Sequence, residues 1–237
     1  LLSNHVYADN TEGSEQLSAI WTSLIINGKF GKDSPWIYYG DVAIRSSENH
    51  KDKNGDPAGY AIGAVPVRFG VGYQFDKINF DKVSATNSLM AGYLFQYSEP
   101  PYAKFAVYEN RTWEQFLNVL DFGEWGKLQN RSRFEQRTVT YTGETGLRWR
   151  QAIKYTYPIN KDWGMSIGDE IFANMNTVGW GPVAGFDQNR LFVGPTYKIN
   201  DETKIEFGYM NNYVNKDLKS DLNNHVFVLN FYYNVPD

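Results

Sequence analysis

The residues from Leu128 to Pro158 read LQNRSRFEQRTVTYTGETGLRWRQAIKYTYP, and they form two alternating segments on either side of a turn. Side chains of an extended strand point alternately to opposite faces, and the Tyr-Thr-Gly-Glu-Thr-Gly run has the composition of a turn. One face of this strand pair is charged and holds Arg131, Arg133, Glu135, Arg137, Arg148, Arg150 and Lys154. The other face of the second strand is apolar and holds Leu147, Trp149, Ile153, Tyr155 and Tyr157.

So many charges on one face favour a barrel that is polar inside. A soluble β-protein usually buries its apolar face and leaves its charges in water. In a membrane barrel the arrangement is inverted, because apolar residues contact lipid and polar residues line the lumen. The sequence therefore predicts an all-β fold, a single closed antiparallel transmembrane β-barrel. A soluble lipocalin-like binding protein, whose barrel also alternates and encloses a ligand, is the alternative fold.

The composition agrees with a membrane barrel. The chain has 237 residues, of which 16% are aromatic, including 17 Tyr and 7 Trp, although its mean hydropathy is −0.52. Outer-membrane barrels place aromatic girdles at both interfaces. The absence of cysteine excludes disulfides and thiolate metal sites. The net charge of −4 argues against nucleic acid as a partner.

Period-two alternation, interrupted by turn residues, predicts eleven strands. They lie near 16–29, 36–46, 60–75, 83–97, 110–122, 128–138, 147–157, 163–174, 189–199, 203–214 and 224–234. Short connections alternate with long polar ones, which predicts short periplasmic turns and longer extracellular loops. Because single-chain bacterial barrels have even strand numbers, twelve strands are favoured, with the segment before Leu17 as one source of the twelfth, and ten is the fallback.

The N-terminal residues resemble the end of a secretory signal. Val6-Tyr7-Ala8 offers a small residue at a cleavage position, and polar residues follow it. An ordinary flexible N-terminus is the alternative. The predicted organisation is a signal-peptide remnant and flexible N-terminus over 1–15, and a barrel domain over 16–237. An exported protein of the bacterial outer membrane follows as the expected location, with outer-membrane lipids as partners.

Several motifs resemble a known bacterial family. They are Glu109–Gln115 (ENRTWEQ), Arg131–Arg137 (RSRFEQR), Leu147–Arg150 (LRWR), Asp169–Phe172 (DEIF) and Phe186–Arg190 (FDQNR), followed by Gly208-Tyr209 and His225. In this order they resemble the family catalogued as domain of unknown function 2490, from about Trp21 to Tyr233. The resemblance implies an outer-membrane β-barrel of Gram-negative bacteria without an established activity.

A basic ladder inside the barrel is the main candidate site. It consists of Arg131, Arg133, Arg137, Arg148, Arg150, Lys154 and Arg190, and its candidate acidic partners are Glu109, Glu135, Glu170, Glu206 and Asp41. Arginine forks bind carboxylate and phosphate bidentately, so one interpretation is a surface for anionic solutes or phosphate-bearing lipids. The other is an internal salt-bridge network that fills a modest lumen.

The 176–187 loop, NTVGWGPVAGFD, is a second candidate, because Trp180, Pro182 and Phe186 could form a constriction if the loop folds inward. A surface loop with an interfacial Trp180 is the alternative. The sequence predicts no cofactor and no metal site.

The expected function is passage or binding of small polar or anionic solutes, by a monomeric or weakly oligomeric barrel. A structural or interaction barrel is one rival. A lipid-modifying enzyme built on His225 is the other, and no serine stands at a telling distance from that histidine in the sequence.

Overall fold

The computed structural model describes residues 15–48, 59–100, 102–103, 105–216 and 221–236. Twelve strands account for most of this part of the chain: β1 (Glu15–Lys29), β2 (Trp36–Ser47), β3 (Ala61–Gln74), β4 (Ile78–Phe80), β5 (Val83–Ser98), β6 (Val107–Asp121), β7 (Lys127–Val139), β8 (Gly146–Pro158), β9 (Trp163–Asn174), β10 (Gly185–Lys198), β11 (Thr203–Val214) and β12 (Leu222–Asn234). A single 3₁₀ turn covers Gly123–Trp125 in these residues.

The sheet closes on itself, as the alternation predicts. Its order runs β3, β2, β1, β12, β11, β10, β9, β8, β7, β6, β5, and β5 pairs with β3 to complete the ring. The fold is therefore a closed barrel of eleven strands with one extra strand. None of the described residues forms a helix long and apolar enough to cross a membrane.

The strand count explains how the barrel closes. Eleven strands joined by successive antiparallel pairings leave the first and last strands pointing the same way, and β1 indeed pairs with β12 in parallel, from Glu15 with Leu222 to Asn27 with Asn234. The remaining pairings of the ring are antiparallel. Among the described residues the twelfth strand is β4, which forms a hairpin with the start of β5.

The two ends of the barrel differ in their connections. At one end, which we call the short-turn end, lie the connections 30–35, 122–126, 159–162 and 199–202. At the opposite, long-loop end lie the connections after β2, β5, β7, β9 and β11. The prediction of alternating short and long connections matches this arrangement. The residues before position 15, which include the predicted signal remnant, lie outside the described residues.

The outer surface is apolar and is bordered by aromatic residues. Its middle exposes aliphatic side chains such as Ile20, Leu24, Val67, Leu89 and Ile167, each more than 40% accessible. Exposed rings lie near the short-turn end: Phe30, Trp36, Phe80, Trp125, Tyr157 and Trp163. Others lie near the long-loop end: Tyr60, Phe105, Tyr108, Tyr141 and Phe186.

Polar residues on the outer face of β7 to β10 hydrogen-bond to one another. The Ser132 hydroxyl donates to the Gln151 side chain at 2.5 Å, and the Gln151 amide donates to Asn130. Asp169 points outward and accepts a 2.7 Å hydrogen bond from Asn189. Its neighbour in sequence, a glutamate, points inward, so no bulge is needed to separate the two acids. These lateral bonds satisfy polar groups that strand alternation leaves on the outside.

Glycine pairs mark two places where neighbouring strands come unusually close. A Cβ on Gly92 would lie 2.1 Å from the Phe69 carbonyl oxygen and 2.7 Å from the Gly70 Cα. A Cβ on Gly194 would lie 2.0 Å from the Phe207 oxygen and 2.8 Å from the Gly208 Cα. These pairs join β3 to β5 and β10 to β11, so the close approaches lie on distant sides of the ring. Glycine within a strand commonly marks a site where another backbone approaches closely.

Candidate functional site

Glu135 is the centre of an ion-pair network inside the barrel. It is 1% exposed and receives hydrogen bonds from two arginines of the neighbouring strand. Arg148 donates to Oε2 from Nε at 3.0 Å and from Nη2 at 2.6 Å, while Arg150 Nη1 donates to Oε1 at 2.6 Å. Strand alternation places all three groups on the inner faces of β7 and β8, where Glu135 lies directly opposite Arg148.

Two further carboxylates extend this network. Glu109 receives two hydrogen bonds from Arg111, at 2.8 and 2.9 Å, and two from Arg137, at 2.5 and 3.3 Å. Glu170 receives hydrogen bonds from Arg131 at 2.5 Å and from Arg150 at 2.9 Å. We call this set of ion pairs the lumen network: Glu109, Glu135, Glu170, Arg111, Arg131, Arg137, Arg148 and Arg150.

Other inward carboxylates are also paired. Glu206 is bonded by Lys154 and also accepts hydrogen bonds from Asn230 at 3.2 Å and Tyr232 at 3.0 Å. Asp41 lies 3.5 Å from Arg68. Asp187 lies 3.2 Å from an Arg148 Nη1 that the lumen network leaves free. Every inward-facing carboxylate named here therefore has a cationic partner.

Three inward arginines have no carboxylate partner among the residues that the structure describes. Arg133, 2% exposed, donates instead to the neutral Gln115 side chain at 2.5 and 3.0 Å. Arg190 donates to Asn212 at 3.1 Å and to Gln188 at 2.9 Å. The third, Arg45, has a buried Nε without a hydrogen-bond acceptor in this part of the chain.

Aromatic rings hold these three guanidinium groups in place. Arg45 and Arg190 lie 4.3 and 5.0 Å from the centroid of Trp21, and Arg133 lies 4.6 Å from that of Trp113. Cation–π contacts orient a guanidinium but do not neutralise its charge. The arrangement leaves positive charge inside the barrel that protein carboxylates do not balance.

A cavity of about 990 Å³ opens at the short-turn end and stops at these arginines. Its lining begins near the rim, at residues such as Asn27, Glu202 and Pro236. The deepest lining residues on their strands include the five that we call the cavity floor: Trp21, Arg45, Trp113, Arg133 and Arg190. Glu170 and Arg131 also line it, already paired with each other.

Beyond the floor, large side chains occupy the long-loop half of the lumen. Tyr102, from the connection after β5, accepts a 2.9 Å hydrogen bond from Trp21 Nε1 and donates to the Ser46 carbonyl at 3.1 Å. Trp180 lies over the Arg137 guanidinium at 5.2 Å, and Pro182 is buried beside it. Together with the lumen network, these side chains narrow that half.

Comparison with known proteins identifies the family of this chain but does not assign it an activity. The family model described as protein of unknown function (DUF2490) matches residues 18–223. The chain belongs to this family. An uncharacterised protein of Methylorubrum extorquens is 33% identical over 109 residues, which are 45% of this chain and 48% of the relative. The match thus spans about half of the relative's length. No solved structure gives a significant match.

Most of the predicted site of this DUF2490 chain lies inside the barrel. All seven residues of the predicted basic ladder face inward, as do the five predicted acidic partners, Asp41, Glu109, Glu135, Glu170 and Glu206. Of the predicted constriction residues, Trp180 and Pro182 lie over the long-loop end of the lumen. Phe186 instead lies on the outer face, 44% exposed and stacked on Tyr213.

Several residues of the site were not among the predicted ones. Arg45 belongs to it because it shares a face with Asp41, four positions earlier in β2, and Arg111 shares a face with Glu109 in β6. Period-two alternation was a usable signal for both. Asp187 could not be predicted from alternation, because a register shift between Phe186 and Gln188 turns its side chain inward.

His225 of this DUF2490 protein lies on the outer surface. Its Nδ1 is 2.7 Å from the Tyr209 hydroxyl, and its Nε2 is 2.7 Å from Gln16 Oε1. The directly opposite residue on β1 is Ser18, but both ring nitrogens already have these other partners. Among the described residues, no cluster of three or more His, Asp or Glu side chains could hold a metal ion.

Proposed function

We propose that this protein is an outer-membrane barrel that binds small anionic solutes in a lumen closed at one end. The apolar outer band between two zones of exposed rings supports the membrane location, because it has the layout of a lipid-facing barrel surface. The outward polar groups of β7 to β10 fit that location because they bond to one another.

The observation that carries the binding proposal is the set of unbalanced charges on the cavity floor. A charge removed from bulk water is costly unless it is paired, and Arg45, Arg133 and Arg190 meet only neutral acceptors and rings. Arginine forks suit carboxylate and phosphate. An anion that enters from the short-turn end would reach Arg45 and Arg190, which are partly exposed, and would lie beside the more deeply buried Arg133.

Binding is favoured over passage because the far half of the lumen is occupied. A steady pore needs a continuous aqueous path, whereas Tyr102, the lumen network and Trp180 lie in the lumen beyond the floor. We therefore expect the purified protein to give no steady current in a planar bilayer at moderate salt. A steady, voltage-independent conductance would contradict a closed lumen and favour passage of solutes.

Replacing arginines of the floor tests anion binding. We expect Arg133→Gln and Arg190→Gln each to weaken binding of inorganic phosphate roughly 10- to 100-fold, because each removes a charge-assisted hydrogen-bond donor. Neither change leaves a carboxylate without its cationic partner, because neither arginine is paired with one. Binding would be measured by titration calorimetry on protein extracted from outer membranes and placed in phosphatidylcholine nanodiscs.

Lys127→Gln is the matched control, because it removes a cation at the short-turn rim of β7, where Lys127 pairs with Asp121 at 2.9 Å. It should leave phosphate binding unchanged. Equal affinities for the wild type and both arginine variants would overturn the proposed binding. Recovery of the protein in the aqueous fraction without detergent would overturn the location.

A further inference from the structure

The cavity above the basic floor has two chemically different walls. One wall, on β1, β2, β5 and β6, is mainly apolar: it carries Ile25, Ile37, Tyr39, Met90, Leu117 and Val119, with polar residues such as Ser88 and Gln115 between them. The opposite wall, on β7 to β12, carries polar and charged groups such as Lys154, Glu206 and Asn230. On that wall Glu206 accepts hydrogen bonds from both Lys154 and Asn230, whereas Lys204 lies 4.6 Å from the Tyr232 ring centroid and has no carboxylate partner among the described residues.

The apolar wall is continuous with a small core. Met90, Leu94 and Trp113 form a buried cluster, and Ile37 and Tyr39 pack against it. Leu117 and Val119 continue the same inner face of β6 toward the open end and remain partly accessible. Small hydrophilic ions would not cover this surface, and apolar groups that stay in contact with water are unfavourable. An apolar part of a ligand would cover it.

The order of the surfaces along the cavity defines a complementary ligand. The unbalanced guanidinium groups lie at the bottom, the apolar wall lies above them, and the mouth opens at the short-turn end. The volume of about 990 Å³ is far more than one phosphate or carboxylate group occupies. Cavities of this size that bind organic molecules combine an apolar lining with a few polar anchors.

We propose that the ligand is an amphiphilic anion, with a carboxylate or phosphate head and an apolar chain. Its head binds at the cavity floor, where Arg133 and Arg190 anchor it, and its chain lies along the wall of Ile37, Leu117 and Val119. It enters head first from the short-turn end. This inference rests on the proposed anion binding and adds the apolar half of the ligand.

A series of straight-chain carboxylates tests the apolar half. With the protein in phosphatidylcholine nanodiscs, titration of acetate, butyrate, hexanoate and octanoate should give affinities that rise with length. The rise should be roughly tenfold between hexanoate and octanoate, as expected for burial of two methylene groups. Tighter binding of octyl phosphate than of octanoate would identify phosphate as the head group and the reverse order carboxylate, while neutral octyl glucoside should bind at least tenfold more weakly than either.

One double variant of the wall, with side chains of similar size, separates this inference from the function on which it rests. Leu117→Asn together with Val119→Thr should remove most of the dependence on chain length and leave acetate binding unchanged. Leu120→Asn, on the outer face of the same strand, is the control and should keep the dependence. Acetate and octanoate binding with equal affinity to the wild type would overturn the amphiphilic ligand alone. If Arg133→Gln instead bound every ligand as tightly as the wild type does, anion binding itself would be overturned.

Discussion

Replacing Glu135 with alanine is expected to lower the free energy of unfolding by about 3–5 kcal/mol, the cost of breaking a buried ion pair by removing one partner. Glu135 is 1% exposed and binds Arg148 and Arg150 through three hydrogen bonds. Without it, two buried guanidinium groups lose their common counter-charge. Urea titration of the protein folded into lipid vesicles, followed by tryptophan fluorescence, would measure the change.

Two further variants identify the cause of this loss. Glu135→Gln keeps the size of the side chain and removes the charge, so it should be destabilised nearly as much as the alanine variant. Glu114→Ala removes a carboxylate from the outer face of β6, where its hydrogen-bond partner is Gln136 at 3.1 Å, and should change stability by less than about 1 kcal/mol. A loss below about 1 kcal/mol for both Glu135 variants would mean that Asp187 and Glu170 are enough to balance Arg148 and Arg150 without Glu135.

The faces of the strands could be predicted from the sequence because side-chain direction is a local property. Alternation is enough to place Arg131, Arg148 and Arg150 inside and Trp149 and Ile153 outside. The same rule predicts the closed sheet, since strands with one polar and one apolar face enclose their polar faces when the sheet closes on itself. Lateral bonds between Ser132, Gln151 and Asn130 explain why a poorly apolar outer face is tolerated on β7.

The strand pairing that closes the barrel could not be predicted in this way. The parallel pairing of β1 with β12 joins residues about 200 positions apart, and it depends on the total number of strands rather than on either strand alone. The extra strand β4 spans only Ile78–Phe80, too short for alternation to identify. Asp187 enters the lumen through a local change of register, which reverses the face that alternation assigns.

Which cations are paired was also beyond the sequence. Arg133 and Arg150 lie directly opposite each other on β7 and β8 and are indistinguishable by pattern. Yet Arg150 binds two carboxylates, at 2.6 and 2.7 Å, while Arg133 binds the neutral Gln115. The difference arises from side chains of the flanking strands β6 and β9. It determines where an anion would be held, so the candidate site depends on the tertiary arrangement.

Gly92→Val is expected to destabilise the barrel by about 3 kcal/mol or more, or to prevent its assembly, because the new side chain would overpack the closing pair of strands. Its Cβ would lie 2.1 Å from the Phe69 carbonyl oxygen, a backbone atom that can move only if β3 and β5 separate. The heat-dependent shift of the folded barrel in detergent gel electrophoresis would report the folded fraction. Ala91→Val, at the adjacent position facing outward, should fold normally.

A double variant distinguishes a backbone conflict from simple crowding by a ring. Trp113 also lies near the new side chain, at 2.5 Å, so Trp113→Ala would relieve that contact but not the one with the Phe69 oxygen. Gly92→Val with Trp113→Ala should therefore fold no better than Gly92→Val. If the double variant regained the folded fraction of Trp113→Ala alone, the ring would be the only obstacle, and the close approach of β3 and β5 would not be needed for closure. If Gly92→Val folded as well as Ala91→Val, the glycine pairs would be dispensable to the curvature of the sheet.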